Sequence, residues 1–384
     1  MKKERIKLGE VATYINGFAF KPQDRGEKGL PIIRIQDLTG NGCDLGFYDG
    51  KYPEKIEINN GDVLISWSAS LGVYIWNRGK ALLNQHIFKV CFDKAPIDKK
   101  YFVYAVQYKL SEMGQKTHGA TMKHIVKKDF EETVIPYPLM QNQIEIVKKL
   151  DKAYNGIALR KKELLLLDTL IKARFVEMFG DVIHNDRKWE CKQFSDITTS
   201  RLGKMLDAKH QTGTCKYPYL ANFNVQWFRF ELDNLNEMDF NEKDREEFCL
   251  EDGDLLVCEG GEIGRCAVWH NQVKKCFFQK ALHRVRCNQD IILPDYLAWW
   301  FKYNCENGGF AAIEGAKATI SHLPGVKMKM LDVTVPAIEL QKQFADFVKQ
   351  VNKSKVVYQI IINKLTFLQK ICYNNHKEQY HIPG

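Results

Sequence analysis

The chain lacks any apolar run long enough to cross a bilayer, so no membrane-spanning helix is expected. Its 11 cysteines are scattered with no C-x-x-C pair, which argues against a zinc site. No signal-like segment opens it, so the thiols are expected reduced and the protein cytoplasmic. There is no G-x-x-x-x-G-K-[ST] loop, which removes the P-loop nucleotide site. There is no Asn-Pro-Pro-aromatic motif of amino-methyltransferases and no Pro-Asp…Glu-x-Lys nuclease cluster. Glu259-Gly260-Gly261-Glu262-Ile263-Gly264 is glycine-rich without the G-x-G-x-x-G spacing, and reads as a turn. His124 and His322 follow threonines in a Thr-x-x-His pattern that a simple capped turn explains better than a catalytic pair. No catalytic residue, metal ligand or cofactor site is therefore assigned to this chain.

What remains is a chain of 384 residues, 45% hydrophobic and 27% charged, enough for two or three domains. Its net charge of +9 is mildly basic and compatible with nucleic acid. The most informative stretch occurs twice. Ile135-Pro136-Tyr137-Pro138-Leu139-Met140-Gln141-Asn142-Gln143-Ile144 opens a charged, leucine-rich segment. Val335-Pro336-Ala337-Ile338-Glu339-Leu340-Gln341-Lys342-Gln343-Phe344 opens another, with Pro336, Gln341 and Gln343 each 200 residues after Pro136, Gln141 and Gln143, far beyond a solenoid period. The pattern reads as a duplicated half-molecule: one globular unit, then one long helix.

Each globular unit reads as α+β, with a curved or barrel-like sheet. Leu30–Ile35, Gly61–Trp67, Val73–Trp76 and His86–Val90 are branched or aromatic runs bounded by turn residues, the signature of strands. A helix is expected from Tyr101 to Met113, stopped by Gly114. The second unit repeats these anchors: Gly253-Asp254-Leu255 matches Gly61-Asp62-Val63, and Tyr296-Leu297 matches Tyr101-Phe102. Between the anchors the two units differ almost freely.

The segments after the anchors switch to helical period. Val147, Leu150, Tyr154, Ile157, Leu164, Ile171, Phe175 and Met178 form a stripe that Lys161 and Asp168 interrupt. Phe344, Phe347, Val348, Val351, Tyr358, Ile362, Leu365 and Leu368 form the second. Each stripe needs a partner, and the other stripe is the simplest one, as an antiparallel coiled coil. Gly156 sits inside the first helix at a cost of about 1 kcal/mol relative to alanine.

Two similar units with different polar loops suit recognition of DNA, through base edges and phosphates. The candidates in the first unit are Lys21, Arg25, Arg34, Gln36, Ser68, Asn84, Gln85, His118 and Lys123. Those in the second are Lys204, Lys209, Asn222, Asn224, Gln226, Lys280, Arg284 and Lys317.

The chain resembles the specificity subunit of Type I restriction–modification systems. The resemblance rests on Gly119-Ala120-Thr121-Met122-Lys123-His124-Ile125, Phe130 and the Ile135–Gln141 junction. It rests equally on Ala318-Thr319, His322-Leu323 and the Val335–Phe347 junction, where Ala337 stands in place of a common second proline. Leu8-Gly9-Glu10-Val11 and Phe194-Ser195-Asp196-Ile197 resemble the starts of the two target recognition domains. The resemblance implies target recognition domains at 1–137 and 183–336, spacer helices at 138–182 and 337–375, and a polar tail at 376–384. It implies a non-catalytic protein in which each domain reads half of a split target in double-stranded DNA while the helices set the gap. It also implies methyltransferase subunits that carry S-adenosylmethionine, and restriction subunits that bring ATP and Mg chemistry. The alternatives are a DNA-recognition subunit of a methyltransferase-only complex, a coiled-coil adaptor whose units bind protein, or a piece of a fused enzyme.

Overall fold

Short runs of branched residues pair into sheets wherever a turn lets them fold back. The computed structural model describes residues 4–40, 45–68, 70–116, 126–205, 213–311 and 323–378. The chain forms two compact units, Met1–Lys161 with Gln359–Gly384, and Lys162–Tyr358.

In the first unit, Thr13–Asn16, Ile87–Cys91, Val63–Ser66 and Gly72–Ile75 make an antiparallel sheet in that spatial order. A second sheet runs Phe47–Tyr48, Leu30–Ile33, Ala81–Leu83, Glu57–Ile58, with its middle pair parallel. Arg5–Lys7 pairs with Val134–Pro136 in a third. The α+β unit expected from sequence thus holds several small sheets built from strands of two to five residues.

The second unit repeats this order. Thr198–Leu202, Leu282–Cys287, Leu255–Cys258 and Cys266–Val268 form the antiparallel sheet. Asn236–Asp239, Lys216–Leu220 and Phe277–Phe278 form the mixed one, again with a parallel pair. Glu190–Gln193 pairs with Asp332–Val335. The glycine-rich run at Glu259 is indeed the turn of the Leu255–Val268 hairpin.

The same turn chemistry starts both central strands. Gly61 and Gly253 have φ of 90° and 86°, a region that glycine enters freely. Asp62 and Asp254 each accept at 2.8 Å from the backbone three residues earlier, Asn59 N and Glu251 N. Trp76 N and Trp269 N each donate at 2.8 Å to the carbonyl of that aspartate.

Each antiparallel sheet is covered by one helix, Lys99–Lys116 or Pro294–Glu306. The first core joins Val63, Ile65, Phe102, Val106 and Leu110 to Ile146 and Leu150 of the first long helix. The second joins Val257, Tyr296, Trp300 and Phe175 to Phe344 of the second long helix. Each such side chain contributes about 1.5–3 kcal/mol when fully buried. The covering helix of the first unit continues through Gly114, because one glycine costs less than the tertiary packing of the turns before it supplies.

The long helices are Met140–Phe179 and Ile338–Glu378, the second running on beyond the expected end near 375. In the second unit, Phe175 stands 5.5 Å from Phe344, and Asp168 pairs with Lys355. Rising numbers on one helix meet falling numbers on the other, so the two run antiparallel there. Asp168 interrupts the apolar stripe because it is an ionic partner of the opposite helix. In the first unit, a Cβ at Gly156 would lie 3.0 Å from Leu365 Cδ1, so glycine lets the helices approach closely. None of the described helices is long and apolar enough to cross a membrane.

The repeat is out of step with its simplest alignment. Gln143 and Gln341 are both buried and make the same bonds. Gln143 Nε2 donates to Pro138 O at 2.9 Å, and Gln341 Nε2 donates to Pro336 O at 2.7 Å. Their Oε1 atoms accept from Asp98 N and Leu293 N, at the starts of the covering helices. Pro336 therefore matches Pro138, not Pro136, and Gln341 matches Gln143, not Gln141.

Candidate nucleic-acid interface

A tight backbone crossing is built at the same place in both units. A Cβ at Gly17 would fall 2.0 Å from the Asn84 carbonyl oxygen, and one at Gly203 would fall 2.3 Å from that of Gln279. Only a residue without a Cβ fits there. The crossing presents two equivalent turns, Asn84-Gln85-His86 and Gln279-Lys280-Ala281. Gln85 N donates to Phe18 O at 2.9 Å, and Lys280 N donates to Lys204 O at 2.8 Å. His86 and Ala281 have φ of 73° and 83°, a left-handed conformation that costs a non-glycine residue roughly 1–2 kcal/mol. Trp67 N clamps the His86 carbonyl at 3.3 Å, and Glu259 N clamps that of Ala281 at 2.9 Å. Strain held at matched positions is a feature of sites where the fold must present particular groups.

The side chains on this shared frame differ. In the first unit, Gln36 and Gln85 are exposed, while Asn84 and Arg34 are half-buried. Arg34 Nε donates to Asp37 at 3.2 Å, and Asn84 Oδ1 accepts from Gln85 N at 2.8 Å. Ser68 is buried in the loop after Trp67. Lys21 and Arg25 are exposed, with Arg25 beside Gly46 rather than at the turn.

In the second unit the structure gathers Lys204, Asn222 and Lys280 around the turn and the Glu259–Gly264 loop. Lys280 is exposed. Asn222 Nδ2 donates to Gly260 O at 3.1 Å, and Gln226 Nε2 donates to Phe223 O at 2.9 Å. Three further candidates are also engaged within the fold. Lys204 Nζ donates to Asp244 at 2.5 Å and to Asp239 O at 2.7 Å. Asn224 caps Ala221 N at 2.9 Å and holds Glu231 O at 2.8 Å, as the buried counterpart of Asp37. Arg284 Nη1 donates to the carbonyls of Glu247 and Cys249, and burial holds its guanidinium pKa below the usual value. His118, Lys123, Lys209 and Lys317 lie outside the described residues, as do His124 and His322.

Residue type alone misses two features. Phe223 is 56% exposed where the first unit has Gln36. Trp67 and Phe88 stack at 5.6 Å in the first unit, while Glu259 and His283 hold the same positions in the second. The register fixes this match: Ile65 pairs with Phe88, and Val257 pairs with His283. No motif marks these residues, because the equivalence exists only once the strands are aligned.

A family model described as the Type I restriction modification DNA specificity domain matches residues 2–168 and 186–366. The chain belongs to this family. It is a Type I specificity subunit with two recognition domains, and its task is the recognition of DNA sequence. The EcoBI specificity subunit of Escherichia coli is 24% identical over 376 residues, covering 90% of this chain and 78% of that protein. The MjaVIII specificity subunit of Methanocaldococcus jannaschii is 25% identical over 196 residues, covering 50% of this chain and 46% of that one. In fold, the specificity subunit is similar to the S subunit of M. genitalium, with a TM-score of 0.55 at 12% identity, covering 97% of this chain and 95% of that one. A chain from a structural study of complex assembly in the type I R-M system gives 0.59 at 12% identity, covering 97% of this chain and 96% of that one.

Proposed function

We propose that this chain is a non-catalytic subunit whose two recognition domains, 1–137 and 183–336, each read one half of a bipartite DNA target. The long helices set the spacing between the halves and dock methyltransferase subunits. Restriction subunits complete the assembly; S-adenosylmethionine, ATP and Mg belong to the partners. The observation that carries this reading is one backbone frame presenting two different side-chain sets. Gln85 and Gln36 stand where Lys280 and Phe223 stand in the other unit, so the same fold can address two different base sequences.

Domain exchange tests it. Replacing 1–137 with the corresponding domain of a relative is expected to change one half of the methylated motif and leave the other intact. Mapping methylated sites in DNA from cells carrying the chimeric complex reads this directly. A simultaneous change in both halves would show that the domains do not read independently.

The docking role is supported by apolar side chains left uncovered on the helices. In the second unit, Leu165, Leu166 and Leu170 are 69%, 57% and 47% exposed, whereas Leu167 packs on the core. Leu166→Glu is expected to weaken assembly with the methyltransferase subunits about tenfold or more, corresponding to ~1.4 kcal/mol per factor of ten. Leu167→Glu is expected to impair folding instead. Co-purification with matched circular dichroism separates the two. Wild-type assembly by the Leu166 variant would remove this face from the docking surface.

A further inference from the structure

In the second unit a carboxylate and an imidazole, Glu259 and His283, stand where the first has two stacked aromatic rings. Glu259 follows the Leu255–Cys258 strand, and its backbone is fixed on both sides. Its N–H donates to Ala281 O at 2.9 Å, and its carbonyl accepts from Leu323 N at 2.7 Å. The side chain is 22% exposed, so it is open to solvent in part. Its Oε1 lies 4.0 Å from His283 Nε2. His283 is 4% exposed, its ring wedged against Gly325, and its Nε2 has no hydrogen-bond partner among the described residues. A polar nitrogen buried without a partner is costly, and so is a carboxylate beside a surface that meets phosphates, unless each gains a bond in the bound state. Among the described residues, Lys329 is the cation that acts on this ring, and burial holds the imidazole toward its neutral form.

We propose that Glu259 is a specificity-determining residue of the second recognition domain, accepting a hydrogen bond from an exocyclic amino group in the major groove, cytosine N4 first. His283 is its positioning residue. A shift of about 1 Å brings Nε2–H into hydrogen-bond range of one carboxylate oxygen. The other oxygen then points at the base. Carboxylates accept from cytosine N4, whereas amides pair with adenine through N6 and N7. At these two positions the first unit has Trp67 and Phe88, whose rings offer no such acceptor, so the two domains differ in kind at this point of the frame. The inference rests on the DNA-reading function proposed above.

The test uses the full chain in its complex with methyltransferase subunits. Wild-type methylation mapping comes first, and a complex that methylates no defined motif would sink the DNA-reading function itself. Given a motif, Glu259→Gln is expected to relax one cytosine-containing position of a single half-site or turn it toward adenine. Discrimination there should fall by about 5- to 150-fold, the range of one good base contact. His283→Phe, which installs the residue of the first unit, is expected to relax the same position, and the double variant should be no worse than Glu259→Gln alone. An unchanged motif with uniformly tighter binding to all duplexes would mean that Glu259 only repels phosphate, and would overturn the proposal. A Glu259→Gln complex that fails to assemble would also overturn it, by showing a structural role.

Discussion

Gln341→Ala is expected to destabilise the second unit by about 2–4 kcal/mol, because three buried or part-buried backbone groups lose their partner, each unpaired buried group costing ~1–3 kcal/mol before relaxation and solvent access. The side chain is fully buried. Its Oε1 accepts from Leu293 N at 2.9 Å, and its Nε2 donates to Pro336 O at 2.7 Å and Ile291 O at 3.0 Å. One amide thus ties the start of the Pro294–Glu306 helix to the bend that begins the second long helix. Gln341→Met keeps most of the volume and loses the same bonds. Equal losses for Ala and Met would assign the effect to hydrogen bonding rather than to a cavity. Urea denaturation followed by tryptophan fluorescence reads the second unit well, since Trp189, Trp227, Trp269, Trp299 and Trp300 all lie in it. Gln143→Ala should act in the same direction in the first unit, where Trp67 and Trp76 report. A loss under about 0.5 kcal/mol, the scale of an ordinary surface substitution, would refute this account of Gln341.

The class of fold and the two helices were legible in the sequence because period and turn chemistry are local. Val63 to Ser66 and Ile87 to Cys91 announce themselves by branched residues between glycine, asparagine and aspartate. The stripe through Leu150 and Phe175 announces a helix with a partner. The true register of the repeat was not legible. It depends on which glutamine reaches back to which proline carbonyl, and two glutamines after two prolines in one junction, against two after one proline in the other, leave more than one alignment equally good by eye. The candidate readers were legible only as a type. Lys204, Asn224 and Arg284 have the chemistry of base or phosphate contacts, yet their polar atoms hold Asp244, Glu231 and Cys249. Glu259 and His283 were passed over for the opposite reason: an acid and a lone histidine carry no motif, and their meaning comes from what occupies the matching positions in the other unit. The exchange of Gln36 for Phe223 was hidden in the same way, since only the shared cap, Asp37 in one unit and Asn224 in the other, aligns the two segments.

Lengthening both long helices by four residues is expected to move the complex to a target whose half-sites lie about two base pairs farther apart. The helices contain 40 and 41 residues, so each extends about 60 Å at 1.5 Å per residue. Insertions near Arg160 and Ile360 fall where the chain leaves one compact unit for the other, at Lys161–Lys162 and Tyr358–Gln359, and Ile360 is itself 47% exposed. Changing one helix alone would put the Gly156–Leu365 approach out of step with the Asp168–Lys355 and Phe175–Phe344 pairs, so both must grow together. Four residues add about 6 Å to each helix and leave a residual rotation of about 40°. With the helix axes running along the duplex, 6 Å corresponds to about two base pairs at 3.4 Å each. Two base pairs turn by about 70° at roughly 10.5 per turn. The difference, about 30°, is within what loops and modest DNA twisting absorb. Seven residues would fit worse: about 10.5 Å, or three base pairs turning about 100°, against a helix residual of about −20°. The four-residue double insertion should therefore keep both half-sites, widen their separation and lose some affinity. Sequencing the methylated sites in cells that carry the variant complex gives the answer. An active variant that methylates only the original spacing would show that the helices do not measure the gap.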